Sequence, residues 1–556
     1  MSQNLGDSAP ITLPIDFDLR PKNTVPPCKS RKVQVLPLSG SIFSPGDVAK
    51  WELPCGRAGE FLDGSQTYLL LRVRNTDTVA PWFVDGSAVS FINKLEVFSS
   101  SQLIETISSY NILYQIMLDT QSGPMDRFGQ NSLLLGCDQD ESADFVNFSR
   151  GGVAVAPGQT ATFAIPIFSG VIGSGCSKFL PIGDLQDLRV EITFENNAAA
   201  VMSGTTTAVS TNIWQVTFAE LAIQVISVDD SVHRLMGASR GNAPVMISSQ
   251  SYRNYNTVLN ANNISDSTII PLKFTSCKSL FGCYRNSTNL NVFNAGTITS
   301  RKNPFASGHA NNGSVNLQVL AGNDYLPQVP LRSSYEIYAE YNKAWHMLNN
   351  INNKTTINRE TYDQMLEPNN FGAITWTSAT TTINAVTASS VSNGIVTPGI
   401  ITTAAAHGLG AGNYIFYTGA TTGGLVQNTW YYVLSAPNTT QLILSLNPRG
   451  MPITTTVLSA QTLAFTGYTS PIVLNTGGSV SSYWNSAPSF VWGLNTDTLY
   501  QQSATSMSGI NTQSGNVFLN GTYSLSTPVS MRSDIFAHYD FILVIDPNTK
   551  QMSIRI

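Results

Sequence analysis

The residue types that most often carry catalysis or bind metals are few and scattered along this 556-residue chain. The sequence contains no HExxH or CxxC motif, the spacings that bring metal ligands within reach of one another. The chain has five histidines and six cysteines, at His233, His309, His346, His407 and His538 and at Cys28, Cys55, Cys137, Cys176, Cys277 and Cys283. We therefore expect no metal site, and we expect free thiols in a reducing compartment.

Two local patterns resemble functional motifs. His538 lies two residues before Asp540, but the sequence places no nucleophile beside them, and the pair is expected to share the end of a strand. The glycine-rich run 408–412 lacks the lysine of a phosphate loop and is expected to connect a hairpin. The carboxylates are dispersed, so no pair is suited to acid–base catalysis. The sequence thus predicts no catalytic residue, no cofactor-binding residue, no cofactor and no enzymatic activity.

Composition limits the classes of function further. Charged residues make up only 12% of the chain, about half the usual share, and the formal net charge is −5. The surface is therefore expected to consist mostly of hydroxyl and amide side chains, and the whole-chain charge gives no argument for nucleic-acid binding. No apolar run approaches the roughly 18–20 residues that span a bilayer, and residues 1–20 lack the pattern of a signal peptide.

Alternating apolar and polar residues predict an all-β first domain over residues 31–230. Its strands are expected at 32–38, 68–74, 89–98, 162–168, 188–194 and 214–228. One apolar set recurs at spacings of three and four residues, which is the period of a helix face. Its members are Leu103, Ile107, Tyr110, Tyr114 and Met117. We therefore predict one helix in this domain, over residues 103–118.

A second domain, over residues 240–556, repeats the same order of elements. Its strands are expected at 247–255, 269–275, 315–321, 490–494, 517–523 and 541–545. Its helix is predicted at 335–348, where Ser333 and Glu336 form the Ser-x-x-Glu pattern of a capping box. An all-β domain that is repeated with one helix at the same place favours a structural role over a catalytic one.

The first 30 residues are proline-rich and are expected to form an extended N-terminal arm, with a disordered tail as the alternative. Basic residues lie on both sides of the end of this arm. They are Arg20, Lys22, Lys29, Arg31 and Lys32. We take them as candidate contacts to the phosphates of lipid or DNA, although nearby Asp16 and Asp18 weaken the positive field.

An unusual stretch lies inside the second domain, because residues 368–496 contain one charged residue, Arg449. Strand-like runs at 414–417, 430–434 and 442–446 predict a small inserted β-module over residues 375–468, since a structureless loop of this length is improbable. The alternative is an elaborate loop without its own core. Four aromatic residues are candidate exterior contacts that could stack on a host receptor or glycan. They are Trp376, Tyr414, Trp430 and Tyr431.

The order of these elements resembles that of the double jelly-roll major capsid proteins of small double-stranded DNA viruses, the virophage and Polinton-like group. The strand-like run 89–97 leads into 104–111 as the first jelly roll of that family leads into its helix. The run 325–330 precedes the second helix, and 508–512 with 534–540 resembles the closing strands. The resemblance implies an all-β chain of two tandem eight-stranded jelly rolls, each with a short helix, together with the inserted β-module in the second.

The same resemblance implies a function built on assembly. The chain is expected to form homotrimeric, pseudo-hexagonal capsomers of an icosahedral shell, with penton and minor or cement proteins as partners. It further implies a location in the virion capsid, after assembly in the cytoplasm or nucleus of the host cell. The N-terminal arm would face an internal membrane or the genome, and the module would face outward. The alternative is a receptor- or glycan-binding viral fibre or spike.

Overall fold

The computed structural model of the chain describes residues 27–78, 82–123, 126–137, 151–196, 200–203, 213–241, 243–260, 263, 265–287, 316–345, 347–348, 355–357, 362, 378–392, 395–404, 414–417, 421–427, 429–446, 452–468, 490–497, 507–513, 515–522 and 530–556. Most of the arm, including Arg20 and Lys22, lies outside these residues, as do Trp376 and the glycine-rich run 408–412.

The first half of the chain is built from antiparallel strands. They are β1 (Cys28–Val35), β2 (Val48–Glu52), β3 (Glu60–Asn75), β4 (Trp82–Asp85), β5 (Ile92–Ser99), β6 (Gln102–Ser108), β7 (Gly151–Val155), β8 (Thr160–Pro166), β9 (Arg189–Phe194), β10 (Val201–Ser203) and β11 (Trp214–Val228). Its α-helices are α1 (Tyr110–Gln121) and α2 (Ser132–Leu135), with short 3₁₀ turns at Ala88–Phe91 and Ile182–Asp184 and a π-type turn at Arg127–Asn131.

Eight of these strands form two four-stranded sheets, β1-β11-β3-β8 and β2-β9-β5-β6. Strict alternation produces the second sheet: Trp51 on β2 and Val190 on β9 are buried, whereas the neighbouring Lys50 and Glu191 lie on the other face. Such alternation gives a sheet one apolar face that must pack against another layer. Two four-stranded sheets connected in this order form a jelly roll.

The three remaining short strands cover one end of this first jelly roll. They pair in the order β10-β4-β7. Strand β4 belongs to the connection from β3 to β5, β7 to the connection from β6 to β8, and β10 to the connection from β9 to β11. Helix α1 lies in the second of these connections. Three alternate connections of the roll therefore meet at the same end.

The first helix begins later than its predicted start. Residues 102–108 form strand β6, in which Ile107 pairs with Leu95 of β5, and α1 starts only at Tyr110. Ser109 separates the two elements with a left-handed backbone, φ 50°, which ends the strand. The helical spacing of Leu103 and Ile107 was therefore coincidental, and Leu103 is 42% exposed rather than packed in the core.

A helix that the sequence pattern did not predict, α3 (Asp230–Arg240), lies between the two halves. Its N-cap residue Asp229 accepts a hydrogen bond from the backbone N–H of Ser231 at 2.9 Å. Leu235 and Met236 of this helix are exposed rather than packed in a core.

The second half repeats the jelly roll. Its strands are β12 (Val245–Leu259), β13 (Ser265–Ile270), β14 (Cys277–Asn286), β15 (Asn316–Ala321), β16 (Asp324–Leu331), β17 (Ser378–Val386), β18 (Ser390–Ser392), β19 (Ile395–Thr397), β20 (Ile401–Thr403), β21 (Tyr414–Tyr417), β22 (Thr429–Asn438), β23 (Gln441–Ser445), β24 (Leu458–Tyr468), β25 (Trp492–Asn495), β26 (Val517–Thr522), β27 (Met531–Ile545) and β28 (Met552–Arg555). Helix α4 (Ser334–Ala344) follows β16.

The two rolls share one strand order. The sheets of the second roll are β12-β27-β14-β25, with β28 added on β27, and β13-β26-β15-β16. When the eight roll strands of each half are numbered one to eight, both halves give the orders 1-8-3-6 and 2-7-4-5. The predicted capping box is present at α4, because Ser333 accepts from the N–H of Glu336 at 3.2 Å and the Glu336 carboxylate accepts from the N–H of Arg332 at 2.9 Å.

The inserted segment of the second roll forms a closed barrel, in the order β17-β20-β23-β22-β21-β24, with β18 and β19 as a side hairpin. It lies in the connection from α4 to β25, which corresponds to the connection that carries α1 in the first roll. Ten buried residues fill a core that is separate from that of the jelly rolls. They are Ile383, Val386, Ile401, Ile415, Tyr417, Leu425, Tyr431, Val433, Leu442 and Leu444.

Candidate assembly interface

The two jelly rolls pack side by side along a contact that we call the in-chain seam. The first roll contributes β6, the loop 167–177 after β8, and the end of α1. The second roll contributes β12, α4 and residues 355–357. Cys176 and Ser249 form a backbone bridge, and the N–H of Gln250 donates to the carbonyl oxygen of Gly175 at 3.3 Å. A Cβ atom added at Gly170 would lie 2.5 Å from the carbonyl oxygen of Gln250. Glycine therefore permits the backbones to approach this closely.

A buried carboxyl group lies in the middle of the seam. Glu105 on β6 is only 2% exposed. It accepts hydrogen bonds from the hydroxyls of Ser169 and Ser251 and, at 2.8 Å, from the N–H of Gly170. Burial raises the pKa of Glu105 above its ordinary value, although these hydrogen bonds oppose the shift. Because Ser251 belongs to the second roll, this carboxyl group links the two rolls directly.

The seam extends from this carboxyl group toward the helices. The rings of Phe168 and Tyr252 lie 5.2 Å apart between centroids. At the end of α1, the hydroxyls of Thr120 and Tyr341 share a hydrogen bond, and the N–H of Thr356 donates to the carbonyl oxygen of Asp119 at 3.0 Å. The helix-bearing connections of both rolls therefore meet, so the rolls stand side by side with like ends together.

Two clusters of buried charge lie in the second roll. The Lys278 ammonium is 3.5 Å from Asp540 and 4.0 Å from Asp497. Asp534, which is fully buried, accepts from Nε of Arg285 at 2.7 Å and from Arg532 at 3.0 Å. Buried charges are tolerated where they are paired in this way. Arg532 also lies 3.4 Å from the hydroxyl of Ser109, so the second cluster borders the seam.

The basic residues predicted as interior contacts divide into two groups. Arg20 and Lys22 lie outside the described residues, whereas Lys29, Arg31 and Lys32 belong to β1 and not to an arm. Arg31 pairs with Glu60 at 2.8 Å. Lys32 lies 5.1 Å from the centre of the Tyr68 ring, and a hydrogen bond to Tyr68 raises its pKa. The prediction of an arm through residue 30 was therefore wrong at its end, because residues 28–35 pair with β11.

The aromatic residues predicted as exterior contacts also lie in different places. Tyr414 and Trp430 lie on β21 and β22 of the barrel. Tyr431 is 2% exposed inside the barrel, where its hydroxyl accepts from the N–H of Val426 at 2.8 Å. The prediction that Tyr431 is an exterior contact was wrong, because its position opposite the buried Ile415 places it on the inner face.

The described residues contain no group of three His, Cys, Asp or Glu side chains that could hold a metal ion. His538 stacks on Tyr252 with 4.6 Å between ring centroids, and its Nε2 lies 3.2 Å from the side-chain oxygen of Gln250. Asp540 instead accepts from the hydroxyl of Ser276 at 2.9 Å. No disulfide joins the six cysteines, all of which belong to the described residues.

Where helices are described, none is long and apolar enough to cross a bilayer. The candidate site consists of contacts between the two rolls and of the strand edges beside them. Among the described residues, the in-chain seam brings these contacts together, and no sequence pattern predicted it. It joins residues more than 100 positions apart, such as Glu105 and Ser251.

No family model matches the sequence, and no curated protein matches it. Solved structures do match along nearly the whole chain. The Sputnik virophage structure determined by cryo-EM is 12% identical and has a TM-score of 0.50, with 99% of this chain and 93% of that chain covered. The Faustovirus major capsid protein (7% identity, TM-score 0.46, 96% and 92% covered) and the mavirus major capsid protein (8%, 0.43, 100% and 93%) also match. At these identities the likeness concerns the fold alone. The strand orders of the two rolls confirm the predicted all-β double jelly roll.

Proposed function

We propose that the chain is a structural major capsid protein whose homotrimers form the capsomers of an icosahedral viral shell. The observation that carries the proposal is the in-chain seam, which holds two rolls of identical strand order side by side with like ends together. The fold shared with the Sputnik virophage structure supports the same function. Such a protein acts through shape and buried contacts and needs no catalytic group.

A trimer follows from the repetition of the roll. Three copies present six similar wedges, and a head-to-tail ring of three closes on itself. Six wedges give a pseudo-hexagonal outline that fills a hexagonal lattice. Obligate interfaces of this kind bury more than about 2,000 Å² and resemble a protein core. Isolated monomers should then be poorly soluble.

The proposed partners are other components of a shell. Trimers would contact one another, a penton protein at the fivefold vertices, and minor or cement proteins between capsomers. The arm preceding β1 would contact an internal membrane or the genome on the inner side. Assembly would take place inside the host cell, in the cytoplasm or nucleus, before the protein is found in the virion capsid.

The barrel is proposed to face outward on the second roll. It interrupts the same connection that carries α1 and β7 in the first roll, and β7 belongs to the small sheet that covers one end. Insertions survive where they do not disturb packing, which favours the exterior. Contacts to a host receptor or glycan would use barrel residues other than the buried Tyr431. Among the described residues, no observation favours the alternative of a fibre or spike.

Electron microscopy of the purified chain tests this proposal. We expect trimers with a hexagonal outline that assemble into closed shells. A monodisperse monomer that persists at micromolar concentration would contradict the proposed function.

The role of the arm is tested by deleting residues 1–26, which leaves strand β1 complete. We expect normal trimers and impaired shells. Deleting residues 1–35 is the matched control, because it removes β1 as well and should damage the first roll itself. Normal shells from the 1–26 deletion would remove the bridging role of the arm.

A further inference from the structure

One of the two buried charge clusters of the second roll contains an amine and two carboxyl groups. Lys278 lies on β14, Asp540 lies on β27, and Asp497 follows the end of β25. Strand β14 lies between the other two strands in their sheet. The side chains of Lys278, Asp540 and Asp497 are 3%, 0% and 1% exposed. The cluster therefore brings a nucleophile and two acids together away from water.

We propose that Lys278 and Asp540 become joined by an isopeptide bond that the folded chain forms by itself. The Lys278 nitrogen (Nζ) attacks the side-chain carboxyl carbon (Cγ) of Asp540. One C–O bond of that carboxyl group breaks, and one water molecule leaves. The reaction takes up no oxidant, cofactor or second protein. The proposal goes beyond the capsid function and does not rest on it.

The two oxygens of the Asp540 carboxyl group have different surroundings. Oδ2 accepts hydrogen bonds from the hydroxyl of Ser276 and from the N–H of Met507, both at 2.9 Å. Oδ1 accepts no hydrogen bond from the described residues and lies 3.5 Å from Nζ of Lys278. Oδ2 is therefore placed to carry the negative charge that develops during the attack, as in an oxyanion hole. Oδ1 is the oxygen that leaves as water.

Asp497 provides the proton carrier that this reaction needs. Its Oδ2 lies 4.0 Å from Nζ of Lys278. One proton of the Lys278 ammonium passes to Oδ1 of Asp540 before the attack, which leaves a neutral amine. The Asp497 carboxylate takes a second proton from the nitrogen and delivers it to the same oxygen. The third proton stays on the amide nitrogen, so Asp497 ends the reaction unchanged.

The backbone around the cluster fixes these distances. Lys278 is the extra residue of a β-bulge in the pairing of β14 with β27, and a bulge redirects the side chain that it carries. The carbonyl oxygen of Lys278 accepts from the N–H of Thr496 at 2.8 Å, which holds the residue before Asp497. The N–H of Asp540 donates to the carbonyl oxygen of Ser276 at 3.1 Å. Groups held in this way react as if at very high concentration.

Burial favours the bond over the ion pair. Two charges removed from water are unfavourable even when paired, and the neutral amide replaces both of them while the water molecule passes to the solvent. The chain offers a comparison, because Nζ of Lys94 lies closer to its partner, 2.9 Å from Glu96, but Lys94 is 34% exposed. An exposed ammonium stays hydrated and charged, so we expect no bond there. Arg285 beside Asp534 cannot react either, since a guanidinium keeps its proton.

Mass spectrometry of the purified full-length chain tests the proposal. After several days at neutral pH, the wild type should be lighter than its sequence mass by one water molecule. Digestion should yield one pair of peptides joined through Lys278 and Asp540, which separates this bond from dehydration of a single aspartate. Lys278→Arg keeps the positive charge and should have the full mass. Lys94→Arg is the matched control and should still lose the water.

A full mass for the wild type would overturn the proposal, and so would a peptide pair joined through other residues. The wild-type measurement decides the question even if Lys278→Arg fails to fold. Mass is measured on single chains, so the result does not depend on whether the chain assembles into shells.

A cut in the barrel makes the bond visible without mass spectrometry. A protease site inserted in the turn between Asn438 and Gln441, which joins β22 to β23, divides the chain between Lys278 and Asp540. After cleavage, denaturation and reduction, the two wild-type fragments should migrate as one species. The same cut in Lys278→Arg should give two separate fragments. Separate fragments from the wild type would contradict the bond.

The role of Asp497 is tested by Asp497→Asn. The amide keeps the shape of the side chain but cannot take up the proton, so the bond should form at least about a hundredfold more slowly. The rate is read from the loss of water over time, and the final peptide pair should be the same as in the wild type. An unchanged rate would overturn the role assigned to Asp497.

Discussion

The outward faces of two equivalent sheets, β2-β9-β5-β6 in the first jelly roll and β13-β26-β15-β16 in the second, carry different side chains. The first is charged: Glu191 pairs with Lys50 at 3.4 Å and with Arg189 at 2.9 Å, and Lys94 pairs with Glu96 at 2.9 Å. The second carries a row of directly opposed apolar residues, one from each strand. They are Ile269, Phe518, Leu320 and Tyr325.

Buried charge is also placed differently in the two rolls. The second roll buries its ion pairs, at Lys278 with Asp540 and at Arg285 with Asp534, whereas Glu105 in the first roll is buried with neutral donors. The two rolls thus share the alternation that sets strand order but differ in where they place charge. The strand order depends on which residues point inward, and the distribution of charge is free to follow the surroundings of each roll.

Breaking a buried ion pair should lower the free energy of unfolding more than breaking an exposed one. Asp534→Ala leaves Arg285 buried without its carboxylate, and we expect a loss of about 3–5 kcal/mol in the free energy of unfolding. Chemical denaturation followed by fluorescence measures this loss. The double variant Arg285→Met with Asp534→Leu is the control, because it removes both charges of the buried pair and leaves only the partly exposed Arg532, so it should lose less. A loss below about 1 kcal/mol for Asp534→Ala would contradict the comparison.

The carboxyl group of Glu105 should make the in-chain seam sensitive to pH. Burial raises its pKa above the ordinary value of 4.5, so the folded state holds a proton that the unfolded state releases. Stability is therefore present below that ordinary value and is lost as the pH rises through the raised pKa. As the pH rises through the raised pKa, the melting temperature of the wild type should fall more than that of Glu105→Gln.

The matched control for this titration is Glu96→Gln, because Glu96 is paired with Lys94 on the outward face of the same sheet. Its melting curve should follow the wild type across the series. Parallel curves for the wild type and Glu105→Gln would show that the seam carboxyl group does not titrate differently in the two states.

The smallest effect is expected on the charged outer sheet. Lys94→Ala breaks a pair whose lysine is 34% exposed, and such surface pairs contribute about 0–1 kcal/mol. The loss should disappear at about 1 M salt, where the screening length is roughly 3 Å. A larger loss that survives salt would mean that this face is covered in the folded chain and would weaken the contrast between the two sheets.

Sequence patterns predicted the elements that depend on local order. The strand predicted at 214–228 matches β11 at both ends, and the capping box at Ser333 forms as expected. The start of α1 was misplaced because Leu103 and Ile107 satisfy a helical period while β6 pairs with β5. Tertiary pairing overrides local spacing in such a segment.

The candidate site was predicted less well than the fold. The in-chain seam depends on pairs such as Glu105 with Ser251, whose neighbourhood is created only when both rolls have formed. Tyr431 was misjudged because an aromatic side chain on a short barrel strand can face either way, and only the register with Ile415 decides. Lys29 was assigned to the arm because the charged start of this edge strand lacks an apolar alternation.

The first and last strands of the barrel are direct neighbours, since Ser378 on β17 pairs with Tyr468 on β24. The segment thus leaves and rejoins the rest of the chain through two adjacent backbone positions. Its core shares no residue with that of the jelly rolls. A unit joined in this way can be exchanged, enlarged or trimmed without changing the distance that the flanking chain must span. The barrel can therefore diversify while the geometry of the rolls stays fixed.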